Sequence, residues 1–149
     1  MNWTYRDKEI LSKDDFPKET YGFVYKITHT PSGKSYLGKK VLIHNKKTKL
    51  TKKDLLMYEG VQGRKPTYKI VQKDSNWKSY YGSNKPLLEL VQTESLENFK
   101  REILILCTTK KQLTYYETQA LFTYRVLEED NKWFNDNILG KFFRKDFEK

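Results

Sequence analysis

The first strongly patterned stretch of the chain is Tyr21-Gly22-Phe23-Val24-Tyr25-Lys26-Ile27-Thr28, in which Phe23, Tyr25 and Ile27 fall on one face and Val24, Lys26 and Thr28 on the other. A repeat of two is the side-chain period of a β-strand. Pro31-Ser32-Gly33-Lys34 supplies turn chemistry, and Ser35 to Leu42 resumes the β pattern, so the two runs predict a hairpin. Phe99 to Cys107 begins polar and becomes wholly apolar, the signature of a central strand entering a core. Thr109 with Gln112 three residues later fits a capping box and opens the longest helical pattern, running to about Glu129. Along it Leu113, Tyr116, Glu117, Ala120, Leu121, Tyr124 and Leu127 recur at three- and four-residue spacing, one face of a helix. Pro86 near a first turn predicts a shorter helix from about Lys85 to Thr93.

Between these elements the pattern fades. Residues 1–20 are polar and mixed in charge and predict a loosely packed N-terminal arm. The stretch 45–70 is a basic insertion (Lys46, Lys47, Lys49, Lys52, Lys53, Arg64, Lys65), interrupted by Gly60, Gly63 and Pro66, with one short helix expected near Asp54 to Tyr58. After Trp133 to Gly140, which reads as a strand or loop returning to the sheet, residues 141–149 form a basic tail. There are no internal repeats and no linker rich in Gly, Ser or Pro, so 1–149 reads as a single domain.

Composition narrows the function. At 149 residues the chain matches the ~150 residues of one average domain. A net charge of +10 with 15% aromatic residues excludes an acidic disordered tail and a low-complexity chain. The single cysteine, Cys107, allows no internal disulfide and no Cys-rich zinc knuckle, which suits a reducing compartment. The longest unbroken apolar run, Ile103 to Cys107, is far shorter than the ~20 residues of a membrane span, and Met1 to Asp7 lacks the apolar centre of a signal peptide. These features predict a soluble cytoplasmic protein. Ten surplus positive charges on so small a domain attract polyanions, and nucleic acid is the commonest of these. A membrane surface would call for a basic amphipathic helix or a lipidation signal, and neither is evident. The insertion adds phosphate-contact capacity, or is simply a solvated loop.

Few residues suggest chemistry on their own. Glu117 lies within an apolar stripe, where a carboxylate must be paired, neutralised or bound to a cation. It is either a salt-bridge partner of one of the many lysines or a ligand of Mg²⁺. No second carboxylate with obvious ligand spacing accompanies it. Tyr25 and Tyr36 sit on adjacent strands of the expected hairpin, close enough for their phenols to approach each other, and Lys39 and Lys40 follow Gly38. Each of these also reads as ordinary packing or a solvated charge. His29 and His44 are the only imidazoles, and no nucleophile context or phosphate-cradling Gly-rich loop is present.

Taken in order, Gly22-Phe23-Val24-Tyr25, Tyr36-Leu37-Gly38-Lys39, the strand Phe99 to Leu104, the helix with Glu117 and the pair Phe134-Asn135 resemble the GIY-YIG nuclease superfamily over about residues 21–140. Tyr80-Tyr81-Gly82-Ser83 and Phe134 to Ile138 resemble its small phage-type, homing-endonuclease-like members most closely. The resemblance implies an α+β fold with a central three-stranded antiparallel sheet flanked by helices, the basic insertion following the N-terminal hairpin. It implies a DNA endonuclease that hydrolyses phosphodiester bonds by a one-metal mechanism. Tyr25 and Tyr36 match the two motif tyrosines, one a general base and the other orienting the attacking water. Glu117 matches the ligand of a single Mg²⁺ (or Mn²⁺), Lys39 a basic position suited to transition-state charge, and Asn135, with Asn137 as the alternative, the late supporting asparagine. The family's helical arginine has no counterpart: Arg64 is the only arginine in the forty residues after the second motif, and Lys78, Lys85 or Arg101 would substitute, Lys85 foremost. With Lys40 and the insertion's lysines, these complete the expected contacts to double-stranded DNA, made by a monomer or a DNA-induced dimer. The alternative is a catalytically inactive basic nucleic-acid-binding module of the same fold.

Overall fold

The computed structural model describes residues 1–60, 62–64, 66–129 and 131–147. Lys65 of the insertion and the last two residues of the tail lie outside the described residues. The chain forms two compact units, Met1–Leu42 with Asn76–Lys149, and Ile43–Ser75.

The larger unit is built on the expected hairpin. Strands β3 (Gly22–His29) and β4 (Lys34–Val41) pair antiparallel with Tyr25 opposite Gly38 and Ile27 opposite Tyr36. On its other side β3 pairs antiparallel with β7 (Phe99–Cys107), with a bulge between Val24 and Tyr25. These three are the strands expected from the pattern, but the sheet is larger than the three-stranded one anticipated. The N-terminal residues supply β1 (Trp3–Tyr5) and β2 (Lys8–Ile10), and β1 adds parallel to β7, giving five strands in the order β2-β1-β7-β3-β4. Two features hide this pair in the sequence. Three residues are too few to display a period. The turn between them places both Arg6 (φ 50°) and Asp7 (φ 66°) in the left-handed region, a conformation for which Asn-Gly is the usual signal. Nor is the arm loose: Trp3, Ile10 and Phe16 are buried.

Each face of the sheet has its own cover. One face is aromatic: Trp3 packs edge-on to Phe23, Phe16 stacks on Phe23, and Trp3 Nε1 donates to the Trp77 carbonyl (2.8 Å). The helix α2 (Lys85–Thr93), at its expected bounds, buries Leu87 and is capped by Asn84, whose side chain accepts from Leu87 N. The opposite face carries Val24, Leu37 and Cys107 against Leu113, Ala120 and Leu121 of the helix α3 (Lys110–Thr123). That helix stops six residues before the expected end, because Arg125 takes a left-handed φ of 54° and the chain continues as turns that still bury Val126 and Leu127. The apolar stripe therefore persists beyond the helix. The short strands β8 (Asn137–Ile138) and β9 (Phe142–Phe143) pair after it.

In the smaller unit, β5 (Ile43–Lys49) and β6 (Tyr68–Asp74) form a two-stranded antiparallel ribbon, with the short helix α1 (Lys52–Leu56) in the connection. Thr51 caps α1, and Asp54 returns the bond to Thr51 N (2.9 Å). A hydrogen bond from Lys69, reinforced by those from Thr51, holds the Asp54 carboxyl down to about 2. Among the described residues no helix is long and apolar enough to cross a membrane.

Arg101, expected as a DNA contact, is 4% exposed. Its guanidinium donates to the carbonyls of Met1, Lys78 and Tyr80 and lies over the rings of Trp3 and Tyr81. A planar fork of donors suits this bundle of carbonyls, and it leaves nothing for phosphate. Replacing it strands those carbonyls, so Arg101→Met is expected to lower the unfolding free energy in urea by about 3 kcal/mol, with Arg101→Lys rescuing little of it. A loss below ~0.5 kcal/mol, the range of an ordinary surface change, would contradict the assignment.

Candidate active site

The expected site residues meet at β4, the edge strand of the sheet. Alternation sends Tyr36 to the face that carries Tyr25, and Leu37 and Lys39 to the face that carries α3. The site therefore wraps around a strand edge, drawing side chains from both faces. A pocket of ≈ 440 Å³ opens there, lined by Tyr36, Glu117, Asn135, Asp136 and Asn137 and by Ser83 to Pro86 at the start of α2.

The two tyrosines are not equivalent. Tyr25 is 1% exposed, with its ring 6.2 Å from that of Tyr36 and 5.9 Å from that of Tyr80. Burial, with the neighbouring Tyr80 and Tyr36, pushes its phenol well above the ordinary tyrosine range. Its hydroxyl lies where a residue-38 side chain would go, since a Cβ on Gly38 would stand 2.6 Å from it. Gly82 (φ +92°) approaches the same hydroxyl from the other direction, and a Cβ there would touch both Tyr25 and Tyr36. Tyr36 instead lines the pocket, its hydroxyl 3.4 Å from Ser83 Oγ. Burial raises its phenol, the Ser83 bond lowers it, and the charges of Tyr80, Glu117 and Asp136 raise it further.

Glu117 projects from α3 with its side chain 18% exposed. Burial raises its pKa and Lys39, whose Nζ stands 3.9 Å away, lowers it. Lys39 also donates to Thr114 Oγ1 (3.2 Å). Both readings of Glu117 survive in this geometry, because the lysine is at the outer limit of an ion pair and leaves the carboxylate open to the pocket. Among the described residues no three His, Cys, Asp or Glu cluster as a cation cage. A hard cation that takes one or two carboxylates, and completes its shell with water and substrate oxygens, fits the chemistry of Glu117 at the wall of a polar pocket that Asp136 also lines.

Asn135 is buried and acts on the backbone. Its Oδ1 accepts from Leu37 N (3.0 Å) and its Nδ2 donates to Leu37 O (2.9 Å), a side chain taking the place of a neighbouring strand. Phe134 N donates to Ser35 O (2.7 Å) and extends that cover. Asn137 instead shapes a turn, accepting from Gly140 N and donating to Asp136. Of the basic residues, Lys85 lines the pocket. Lys40 donates to Asn76 (2.6 Å) and lies 4.0 Å over the Tyr80 ring, and burial lowers its pKa. Lys78 is exposed, and Lys46, Lys47, Lys49, Lys52, Lys53 and Arg64 are exposed in the 43–75 unit.

Three residues escaped the sequence reading. Tyr80 lies against Tyr25, Asp136 gives the pocket its second carboxylate, and Arg144 donates to the carbonyls of Val126, Glu129, Trp133 and Asn135. Tyr80 and Asp136 lie inside quoted motifs, so adjacency was a usable signal. Arg144 in a basic tail gave none.

The sheet edge thus gathers phenol, carboxylate and lysine in one polar pocket on an α+β frame. Residues 3–138 match a family model described as "Putative endonuclease segE, GIY-YIG domain", and the chain belongs to the GIY-YIG nuclease family. No curated protein and no solved structure matches the chain.

Two outcomes test this geometry. Asn135→Ala leaves both polar groups of Leu37 unpaired and is expected to cost about 2 kcal/mol in urea unfolding. For Glu117, a folded pKa above the unfolded one means the folded state holds its proton longer, so its contribution to stability falls as pH rises past the ordinary glutamate range. Glu117→Gln should then melt higher than wild type at pH 7, with the gap closing near pH 4. A variant that melts lower at pH 7 would show the carboxylate to be a net stabilising ion pair.

Proposed function

We propose that the chain is a metal-dependent endonuclease that hydrolyses phosphodiester bonds of double-stranded DNA in the pocket at the β4 edge. The observation that carries this reading is the convergence of Tyr36, Glu117 and Lys85 on one pocket, with Lys39 beside Glu117, in a nuclease-family chain of net charge +10. The surplus charge draws the DNA backbone to the surface. Lys39 and Lys85 then offset charge on the phosphoryl group, with Lys85 as the substitute for the family's helical arginine.

Tyr36 is the residue whose phenolate takes a proton from the attacking water and becomes the phenol, because it faces the pocket whereas Tyr25 is enclosed. Tyr25 packs behind it and fixes its approach. Glu117 would hold one Mg²⁺ or Mn²⁺, with Asp136 lining the same pocket. When bound, that ion supplies polarisation of a phosphoryl oxygen and positive charge for the leaving 3′ oxygen. Asn135 keeps β4, and so Tyr36, in place through Leu37.

The test is conversion of supercoiled plasmid to nicked or linear forms by purified protein. Cleavage is expected with Mg²⁺, none with EDTA, and a loss of 10²-fold or more in Glu117→Ala while DNA binding persists. Because the Tyr36 phenol is raised, little base form exists at neutral pH and the rate should climb by roughly tenfold per pH unit there. Tyr36→Phe should lower the rate by about 10²–10⁴ and flatten that rise. Tight binding with no cut under any condition would make the chain a basic nucleic-acid-binding module of the same fold.

A further inference from the structure

The 43–75 unit has an asymmetry that a simple basic loop would lack. In the register of β5 with β6, His44, Lys46 and Thr48 share a face with Lys73, Val71 and Lys69. The tip of this face is covered: Thr48 and Lys69 are half-buried, and Lys69 is paired with Asp54 of α1 at 2.8 Å. On the opposite face, three cross-strand pairs stand in a row, Asn45 with Gln72, Lys47 with Ile70, and Lys49 with Tyr68. All six are exposed, Ile70 to 74% and Tyr68 to 49%. Lys47 lies 4.7 Å over the Tyr68 ring, and a hollow of ≈ 430 Å³ lies against Asn45, Lys47, Tyr68 and Ile70, with Lys69 at its margin.

We infer that this open face is a base-reading surface for the major groove of double-stranded DNA, and that it sets where the enzyme cuts. The inference rests on the nuclease reading above. Charge identifies the occupant as a polyanion: residues 43–75 contain nine Lys and Arg against three Asp and Glu. Shape favours duplex DNA, because a two-stranded ribbon fits the ~12 Å major groove of the B-form, whereas the major groove of A-form RNA is too narrow to admit side chains. The chemistry of the face then goes beyond phosphate binding. The carboxamides of Asn45 and Gln72 sit side by side with no hydrogen-bond partner among the described residues. Asn and Gln are the side chains that pair bidentately with adenine N6 and N7. Ile70 offers an apolar contact for the thymine methyl group, and Lys47 a donor for guanine O6 and N7. A ribbon with so much apolar surface in water gains little stability by itself, and a groove floor would cover it.

Selection from a randomised DNA duplex library by gel shift tests this, using the full chain with Glu117→Gln so that bound DNA is not consumed. The parent chain is expected to enrich a short A·T-containing motif. The Asn45→Ala/Gln72→Ala pair should lose that motif, its preference over random duplex dropping on the order of tenfold, with the salt dependence of binding unchanged. The Lys46→Ala/Lys73→Ala pair, on the other face, should weaken binding to all sequences, flatten the salt dependence and keep the motif. Circular dichroism of each variant controls for folding, and the positions of plasmid nicks in the cleavage-competent chain provide a second readout. A motif unchanged by Asn45→Ala/Gln72→Ala, no motif in any chain, or equal binding to an A-form RNA duplex would overturn the inference while leaving the nuclease reading intact. No binding to any nucleic acid at low salt would overturn both.

Discussion

The carboxamide of Asn135, bonded through both of its polar atoms to the backbone of Leu37, is the constraint on which the pocket depends. An edge strand presents unpaired amides and carbonyls that would bind water or another strand. Here a side chain satisfies one residue's worth of that edge, and the backbone of Phe134 satisfies its neighbour at Ser35. The space left between them becomes the mouth of a pocket rather than an open ladder. Because successive strand residues point to opposite faces, fixing Leu37 fixes Tyr36 on one face and Lys39 on the other. Arg144 secures the far side by binding the carbonyl of Asn135 together with those of the turns after α3. A residue that looked like part of a basic tail thus belongs to the scaffold of the site.

What could be read in the sequence and what could not divide along physical lines. β3 and β4 were legible because polar residues alternate with apolar ones along part of each and turn residues separate them, and α2 because Asn84 and Pro86 mark its start. The family motifs lie on these elements, and the site was legible to the same extent. The five-stranded sheet was not, because its two extra strands are three residues each and turn through Arg6 and Asp7 without a glycine. The ribbon was not, because none of its residues is buried and a strand without a buried face has no hydrophobic period to display. The end of α3 was overrun because the core continues to use Val126 and Leu127 after the helical hydrogen bonds have stopped.

Two of the cations serve the fold rather than a polyanion. Arg101 and Arg144 point inward and each satisfies several backbone carbonyls, a task suited to a rigid fork of donors that remains charged when partly buried. The lysines of the 43–75 unit are mostly solvated, although Lys69 is committed to Asp54. Net charge alone therefore overstates what is available to a polyanion. The exposed lysines are compact, hydrated charges that attract a backbone without fixing its register. Fixing register falls to uncharged groups.

The 43–75 unit leaves and returns as a pair of facing strands, with Ile43 opposite Asp74. Its two ends are therefore about one strand spacing apart, ~5 Å, a distance that two or three turn residues can bridge. Exchanging the whole segment for a tight turn, or for a ribbon of different length, would change the entropy of closing the chain by only a fraction of a kcal/mol per doubling of length. A fold that accepts a segment at such a point can alter its reader without rebuilding its chemistry. Diversification in this lineage would then proceed by replacing a cassette, with the pocket residues inherited unchanged on either side of it.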